Sequence, residues 1–261
     1  NSLQVHGAKN DRCGSAISSA GDVNGDGFED FLVGATQTGS SKGKVGLFLG
    51  RRLLDFPRVM SLNSDANVLF EAAAGGDQTG FSVAPAGVVN GDGFDDFLIG
   101  AFMANSNGAG AGAVYLLLGA ADPVAKWGAK VSLAAAADAR FIGETIYDFA
   151  GYSLAGSING APMDVNGDGL ADFLIGAYGS NENGGSLGDM QTGAGKSYLI
   201  LGRAAANWGG SFNLSQSDAS FVGQTAYDFS GFSVANVGDV NGDALSDFAI
   251  GAYNNVMGGG V

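Results

Sequence analysis

Hydrophobic positions along this chain come in short runs of about five residues, separated by polar stretches rich in Gly, Asp and Asn. Runs of that length, rich in Phe, Leu, Ile and Val and closed by Gly, predict buried strands, because helices need roughly 10–12 residues. The runs follow a fixed order. DFLVGA at 30–35 returns as DFLIGA at 96–101, DFLIGA at 172–177 and DFAIGA at 247–252. Each follows a polar loop, so that 21–35 (GDVNGDGFEDFLVGA), 87–101 (GVVNGDGFDDFLIGA), 163–177 (MDVNGDGLADFLIGA) and 238–252 (GDVNGDALSDFAIGA) are four copies of one unit.

The repeat is longer than the loop. A Gly within small, apolar or aromatic residues opens each copy: Gly14, Gly80, Gly151 and Gly231. It stands 8 residues before the loop, or 13 in the third copy, which carries an insertion of five residues within 156–163. A third apolar run follows at 44–50 (KVGLFLG), 113–119 (AVYLLLG) and 196–202 (KSYLILG). A fourth lies around 66–70, around 130–133 with 140–142, and around 211–214 with 220–222. Tandem four-stranded units with Gly-to-Gly spacings of 66, 71 and 80 residues are each too thin to bury a core alone. Radial packing of such sheets hides their faces, and the fold expected is an all-β propeller of four-stranded blades, about four of them in this chain.

A β-helix would need shorter repeats, and two separate sandwiches would not explain the regular spacing. The alanines of 133–139 suggest a helix, but the equivalent LSQSDA at 214–219 does not, so a loop or a single turn is expected and helices should be nearly absent. The chain reads as one domain over 1–261, with units at 13–78, 79–149, 150–229 and 230–261. Residues 1–12 then take the slot of an outer strand that closes a ring. The last unit lacks most of its third strand and the first residue is Asn1, so the expectation is a chain that is cut short, processed or continued.

Composition narrows the function. Gly is 46 of 261 residues without a three-residue period, and the 46% hydrophobic content argues against disorder. No apolar run approaches the roughly 18 residues of a membrane-spanning helix, and the N-terminus does not read as a signal peptide. The one cysteine, Cys13, cannot pair within the chain and reads as a small core residue, while the lone His6 gives no support to a histidine-based triad. The net charge is −14, but 11 of the 26 acidic side chains sit at equivalent loop positions. With no basic stripe elsewhere, nucleic acid is excluded as a partner.

Those loop acids are the candidate chemistry. In the first copy, oxygen donors fall at loop positions one, three, five and nine: Asp22, Asn24, Asp26 and Asp30. Gly25 and Gly27 permit the turns that let them converge, and the Phe28 carbonyl at position seven can join them. With a bidentate Asp30 and a water, the set gives about seven hard oxygen ligands, a number that favours Ca2+ over Mg2+. Equivalent sets are Asn90, Asp92, Phe94 and Asp96; Asp164, Asn166, Asp168, Leu170 and Asp172; and Asp239, Asn241, Asp243, Leu245 and Asp247. Up to four Ca2+ ions are expected. The second set has Val88 at position one and should bind more weakly; Ala244 replaces a Gly and should be strained if its φ is positive. The competing reading is that these side chains only cap turns of their own backbone.

The opening Gly with its aromatic and Ser, the DVNGDGxxD loop and the closing GA resemble the FG-GAP repeats of integrin α subunits and of bacterial surface proteins. The linkers at 118–128 and 201–209, with Trp127 and Trp208, look most like the bacterial arrays. Cys13, where an opening aromatic is usual, departs from the pattern. The resemblance implies a β-propeller, usually seven-bladed, with calcium in the loops between first and second strands and recognition on the opposite face. It implies an extracellular or cell-surface adhesion or recognition module, secreted or periplasmic, whose partner is a surface protein or a carbohydrate, alone or with other subunits of a complex. An architectural spacer and an accessory domain of a secreted calcium-dependent hydrolase or lyase are the alternatives; catalysis by this chain is not expected. Candidates on the recognition face are the long connection 178–195 and Tyr147 and Tyr227, for which packing between blades competes with sugar stacking, as it does for Trp127 and Trp208.

Overall fold

The computed structural model describes residues 3–36, 42–52, 57–181 and 193–255. Almost all regular structure is β. The first full unit contributes β2 (Cys13–Gly21), β3 (Asp30–Ala35), β4 (Lys44–Phe48) and β6 (Val68–Glu71), antiparallel neighbours in that order. The second contributes β7 (Ser82–Gly87), β8 (Asp96–Ala101), β9 (Ala113–Leu117) and β11 (Ala139–Ile142) in the same arrangement. The third has β12 (Ser153–Ala155), β13 (Phe173–Ala177), β14 (Lys196–Ile200) and β16 (Ala219–Val222), and the fourth begins with the pair β17 (Ser230–Gly238) and β18 (Asp247–Ala252). These meanders are the blades of a β-propeller.

The central strands are apolar throughout because both their faces are covered. Every residue of β4, β8, β9, β13 and β14 is buried. One core lies between the first and second blades, joining Leu32, Leu47 and Phe70 to Phe97, Ile99 and Tyr115. The next joins Leu98, Leu116 and Phe141 to Phe173, Ile175 and Tyr198. Trp127 sits edge-on to Phe70 and Phe97 at centroid distances of 5.4 and 5.8 Å, and Trp208 is edge-on to Phe141 and tilted against Phe173. Burying side chains of this size stabilises by about 2–3 kcal/mol each, so the seams between blades hold much of the stability.

The glycines that close β3, β8 and β13 have a steric reason. A Cβ on Gly34, Gly100 or Gly176 would come within 3 Å of the carbonyl oxygen of Gly80, Gly151 or Gly231, the opening glycine of the next blade. At the same places the hydroxyls of Ser15, Ser82 and Ser153 donate to those carbonyls at 3.2, 2.6 and 2.8 Å. The opening Gly of one blade is thus clamped to the closing Gly of the previous one.

One expectation is corrected. The fourth apolar segment is not a single outer strand. In the second unit it divides into β10 (Lys130–Ser132) and β11, and in the third into β15 (Gly210–Asn213) and β16. β10 and β15 add in parallel to the outer edges of the preceding blades, on β6 and β11. β5 (Val59–Ser61) pairs in the same parallel sense with β1 (Gln4–His6). The two pieces of each segment thus belong to the sheets of different blades. The alanine segment forms a single turn, α2 (Leu133–Ala136), and the other α-helical piece among the described residues is α1 (Pro123–Trp127), N-capped by Asp122.

Candidate metal centres

Each acidic loop joins the first strand of a blade to its second. In blades one, two and four the ladder slips just before the loop, beside Gly21, Gly87 and Gly238, whose φ values of 80°, 78° and 71° need glycine. The third blade has Met163 there and a shorter first strand, the local cost of its inserted residues. Inside the loops, positions four and six are left-handed: φ is 72° and 85° at Gly25 and Gly27, 78° and 90° at Gly91 and Gly93, and 77° and 83° at Gly167 and Gly169. The fourth loop has 83° at Gly242 and 70° at Ala244, so the anticipated strain is present.

The tight turns fold the side chains back onto the loop. Asp22 accepts from the Asp26 and Gly27 amides at 3.0 and 2.7 Å, and Asp26 accepts from the Phe28 amide at 2.9 Å. Asn24 accepts from the Asp26 amide at 3.1 Å and donates to the Asp26 carboxylate at 3.0 Å. The third and fourth loops repeat the pattern with changed partners: Asp164 accepts from the Gly167 and Gly169 amides, Asp239 from those of Gly242, Asp243 and Ala244, and Asn241 donates to Asp247. In the second loop Asn90, Asp92 and the Phe94 amide keep theirs, with Val88 contributing no oxygen. The turn-capping role is therefore real in all four loops. Among the described residues no three acidic, His or Cys side chains gather into a metal cluster.

Position nine is different. Asp30, Asp96 and Asp172 lie at the head of the second strand and are at most 1% exposed. One oxygen accepts from the position-two amide (Val23, Val89, Val165), each at 2.9 Å; the other accepts from the Gly that ends the third run (Gly50, Gly119, Gly202) at 2.6, 2.8 and 2.8 Å. Asp247 accepts from Val240 at 2.9 Å. Burial, opposed by those amides and reinforced by neighbouring loop acids, pushes Asp30 up to about 7, Asp96 to about 8 and Asp172 to about 6. Asp239, at position one and exposed, is instead held below the usual range by the Ala244 and Gly242 amides.

The oxygen donors of the loops are of the kind that a hard divalent cation takes. A carboxylate has about four lone-pair sites, and the loop amides occupy only some of them. A desolvated carboxylate beside further acids, two for Asp30 and Asp172 and one for Asp96, is the electrostatic situation that a bound cation relieves. Asp22, Asn24, Asp26 and Asp30 could supply such ligands in loop one, and their equivalents could in loops two to four.

Adjacent loops also touch, which the loop sequences did not reveal. The position-seven side chains of Phe94, Leu170 and Leu245 lie over Gly25, Gly91 and Gly167 of the preceding loops, close enough to crowd a Cβ there. Position eight donates its amide across the seam to position one: Asp95 to Asp22 at 3.1 Å, Ala171 to Val88 at 3.1 Å and Ser246 to Asp164 at 2.8 Å. A consistently large apolar residue at position seven of an otherwise polar loop was the available signal.

The remaining candidates divide. Trp127 and Trp208 are core residues of the seams. Tyr147 and Tyr227 both have positive φ, 60° and 71°; Tyr147 is half-buried with its ring 6.0 Å from Phe149, and Tyr227 is exposed. The acids between them and the next Phe, Asp148 and Asp228, are buried and cap their turns by accepting from the amides and hydroxyls of Thr145 and Thr225. Cys13 is half-buried against the core of the first blade, with its thiol raised by burial. Most of the connection 178–195 lies outside the described residues. No helix among the described residues is long and apolar enough to cross a membrane.

The FG-GAP repeat model matches residues 14–48, 79–117 and 155–200. The chain is 32% identical over 185 residues to integrin alpha pat-2 of Caenorhabditis briggsae, covering 64% of this chain and 13% of that protein. It is 29% identical over 245 residues to integrin alpha-PS2 of Drosophila melanogaster (90% and 15%) and 28% identical over 172 residues to integrin alpha-IIb of Homo sapiens (62% and 14%). The matched region thus spans 13–15% of the length of these curated relatives.

Proposed function

The chain carries three FG-GAP repeats, and from that premise we propose that it is a calcium-binding β-propeller module for extracellular adhesion or recognition, without catalytic activity of its own. The observation that carries the calcium reading is the buried carboxylate at position nine, repeated in three blades at the same two amide contacts and set beside a loop of further hard oxygens. Calcium would be held by Asp22, Asn24, Asp26, Asp30 and the Phe28 carbonyl, and by the equivalent groups of the other loops. The ion would supply positive charge where the chain has gathered acids, fixing the turn between two strands; the loops are structural clasps.

The adhesion reading rests on the similarity to integrin alpha chains and on the division of the molecule into two rims. The acidic loops crowd one rim. The opposite rim carries the fourth-to-first turns with exposed Tyr227 and half-buried Tyr147, together with the second-to-third connections, and is proposed to meet a surface protein or a carbohydrate. A glycan array and a panel of cell-surface proteins, each probed with the chain in calcium and in chelator, test this. Saturable, calcium-dependent binding that Tyr227→Ala weakens is expected. Hydrolysis or elimination of a polysaccharide without saturable surface binding would overturn the reading.

A further inference from the structure

Resting on the calcium reading above, we propose that position eight of each acidic loop is a positioning residue for the position-one ligand of the preceding blade, so that neighbouring metal loops are coupled through the seam. Three junctions carry the comparison. Where position one is Asp22, Asp95 of the next loop donates its amide to the Asp22 carbonyl at 3.1 Å and accepts the Asp22 amide on its carboxylate at 2.8 Å. Where position one is Asp164, Ser246 donates its amide to the Asp164 carbonyl at 2.8 Å, and its hydroxyl accepts the Asp164 amide at 3.2 Å while donating to the Pro162 carbonyl. Where position one is Val88, which brings no ligand, position eight is Ala171; it makes only the amide-to-carbonyl bond, at 3.1 Å.

A side-chain acceptor is therefore present at the two junctions that have an acid to orient and missing at the one that has none. The physical reason is rotational. One hydrogen bond leaves a peptide free to swing about it, whereas bonds from the same neighbour to the N–H and C=O of position one fix the Cα–Cβ direction. That direction decides whether the Asp22 carboxylate reaches the Asp26 and Gly27 amides, at 3.0 and 2.7 Å, and the space beside them. Asp95 is half-buried in this seam, and a Cβ on Gly21 would collide with it, so the carboxylate has little alternative placement.

Calcium titration of the full chain, read at the backbone amides of Gly27, Gly93, Gly169 and Gly242 by two-dimensional NMR, tests the assignment loop by loop. Asp95→Ala should weaken calcium at loop one by about tenfold, the worth of a hydrogen bond to a charged group, and leave loops three and four unchanged. Asp95→Asn keeps an acceptor and should stay within about twofold of the parent. Val88→Asp alone should strengthen loop two less than Val88→Asp combined with Ala171→Ser, a pair that decides the question even if Asp95→Ala does not fold. Unaltered loop-one affinity in Asp95→Ala, equal losses in Asp95→Ala and Asp95→Asn, losses spread over all loops, or no added effect of Ala171→Ser would each overturn the proposal. Absence of calcium-dependent shifts in the parent chain would instead reject the calcium reading on which it rests.

Discussion

Replacing Gly100 by Ala probes the seam between blades with one methyl group. Its Cβ would lie within 3 Å of both the Gly151 carbonyl oxygen and the Ser82 hydroxyl. The carbonyl belongs to the backbone of the next blade and cannot turn away, so the blades must separate by a few tenths of an ångström or more. Overpacking of this kind costs about 1–3 kcal/mol. Displacing the 2.6 Å bond from Ser82 to Gly151 adds about 1 kcal/mol, for a total of roughly 2–4 kcal/mol. At about 2–4 °C per kcal/mol for a chain of this size, the melting temperature should fall by roughly 5–15 °C. Two comparisons give the measurement its meaning. Gly209 has open space around it and an ordinary φ, and Gly209→Ala should change stability by less than about 0.5 kcal/mol. Gly251 has the Ser233 side chain, which can rotate, as its nearest neighbour, and Gly251→Ala should fall between the two. Thermal melts of the three variants side by side suffice. Equal melting temperatures for Gly100→Ala and Gly209→Ala would refute the account of blade packing.

Three more predictions concern the loops. The folded pKa values of Asp30, Asp96 and Asp172, about 7, 8 and 6, lie above the unfolded value near 3.9. Their contribution is therefore complete below about pH 4 and is lost as pH rises through about 6–8, so in chelator the melting temperature should fall from pH 5 to pH 8. Calcium should reduce that fall, and a flat or rising profile in chelator would contradict the assignment. Asp30→Ala should weaken metal binding more than Asn90→Ala, because it also removes the acceptor of the Val23 and Gly50 amides; stability should drop by about 1–3 kcal/mol, and equal calorimetric effects of the two variants would count against the ranking. Ala244→Gly should stabilise by about 0.5–1 kcal/mol by relieving a φ of 70°, measured as a rise in denaturation midpoint, and a lower midpoint would show that the strain is unimportant.

The repeat, the strand order within a blade and the all-β class were legible because they rest on short-range signals: apolar runs of one length, closed by Gly, at recurring spacings. The loop residues were legible for the same reason, since alternate oxygen donors between glycines are a local pattern. What was hidden depends on contacts between units. The parallel strands β10 and β15 leave their own blade for the previous one, and Lys130–Ser132 carries no mark of that allegiance. The clamp from Asp95 to Asp22 joins residues 73 apart and becomes visible only when the loops are stacked. Glycine at 34, 100 and 176 reads in one dimension as a strand terminator, but in three dimensions each is the socket for the next blade.

The central claim is that the acidic loops hold calcium, and titration calorimetry of the metal-stripped chain, paired with melting curves in calcium and in chelator, tests it most directly. The account predicts up to four binding events, the loop with Val88 being the weakest, and a melting temperature that falls on chelation, since an ion at about 100 times its Kd stabilises by about 2.7 kcal/mol per site. No heat of binding together with superimposable melting curves would contradict it and leave the loops as turns capped by their own side chains.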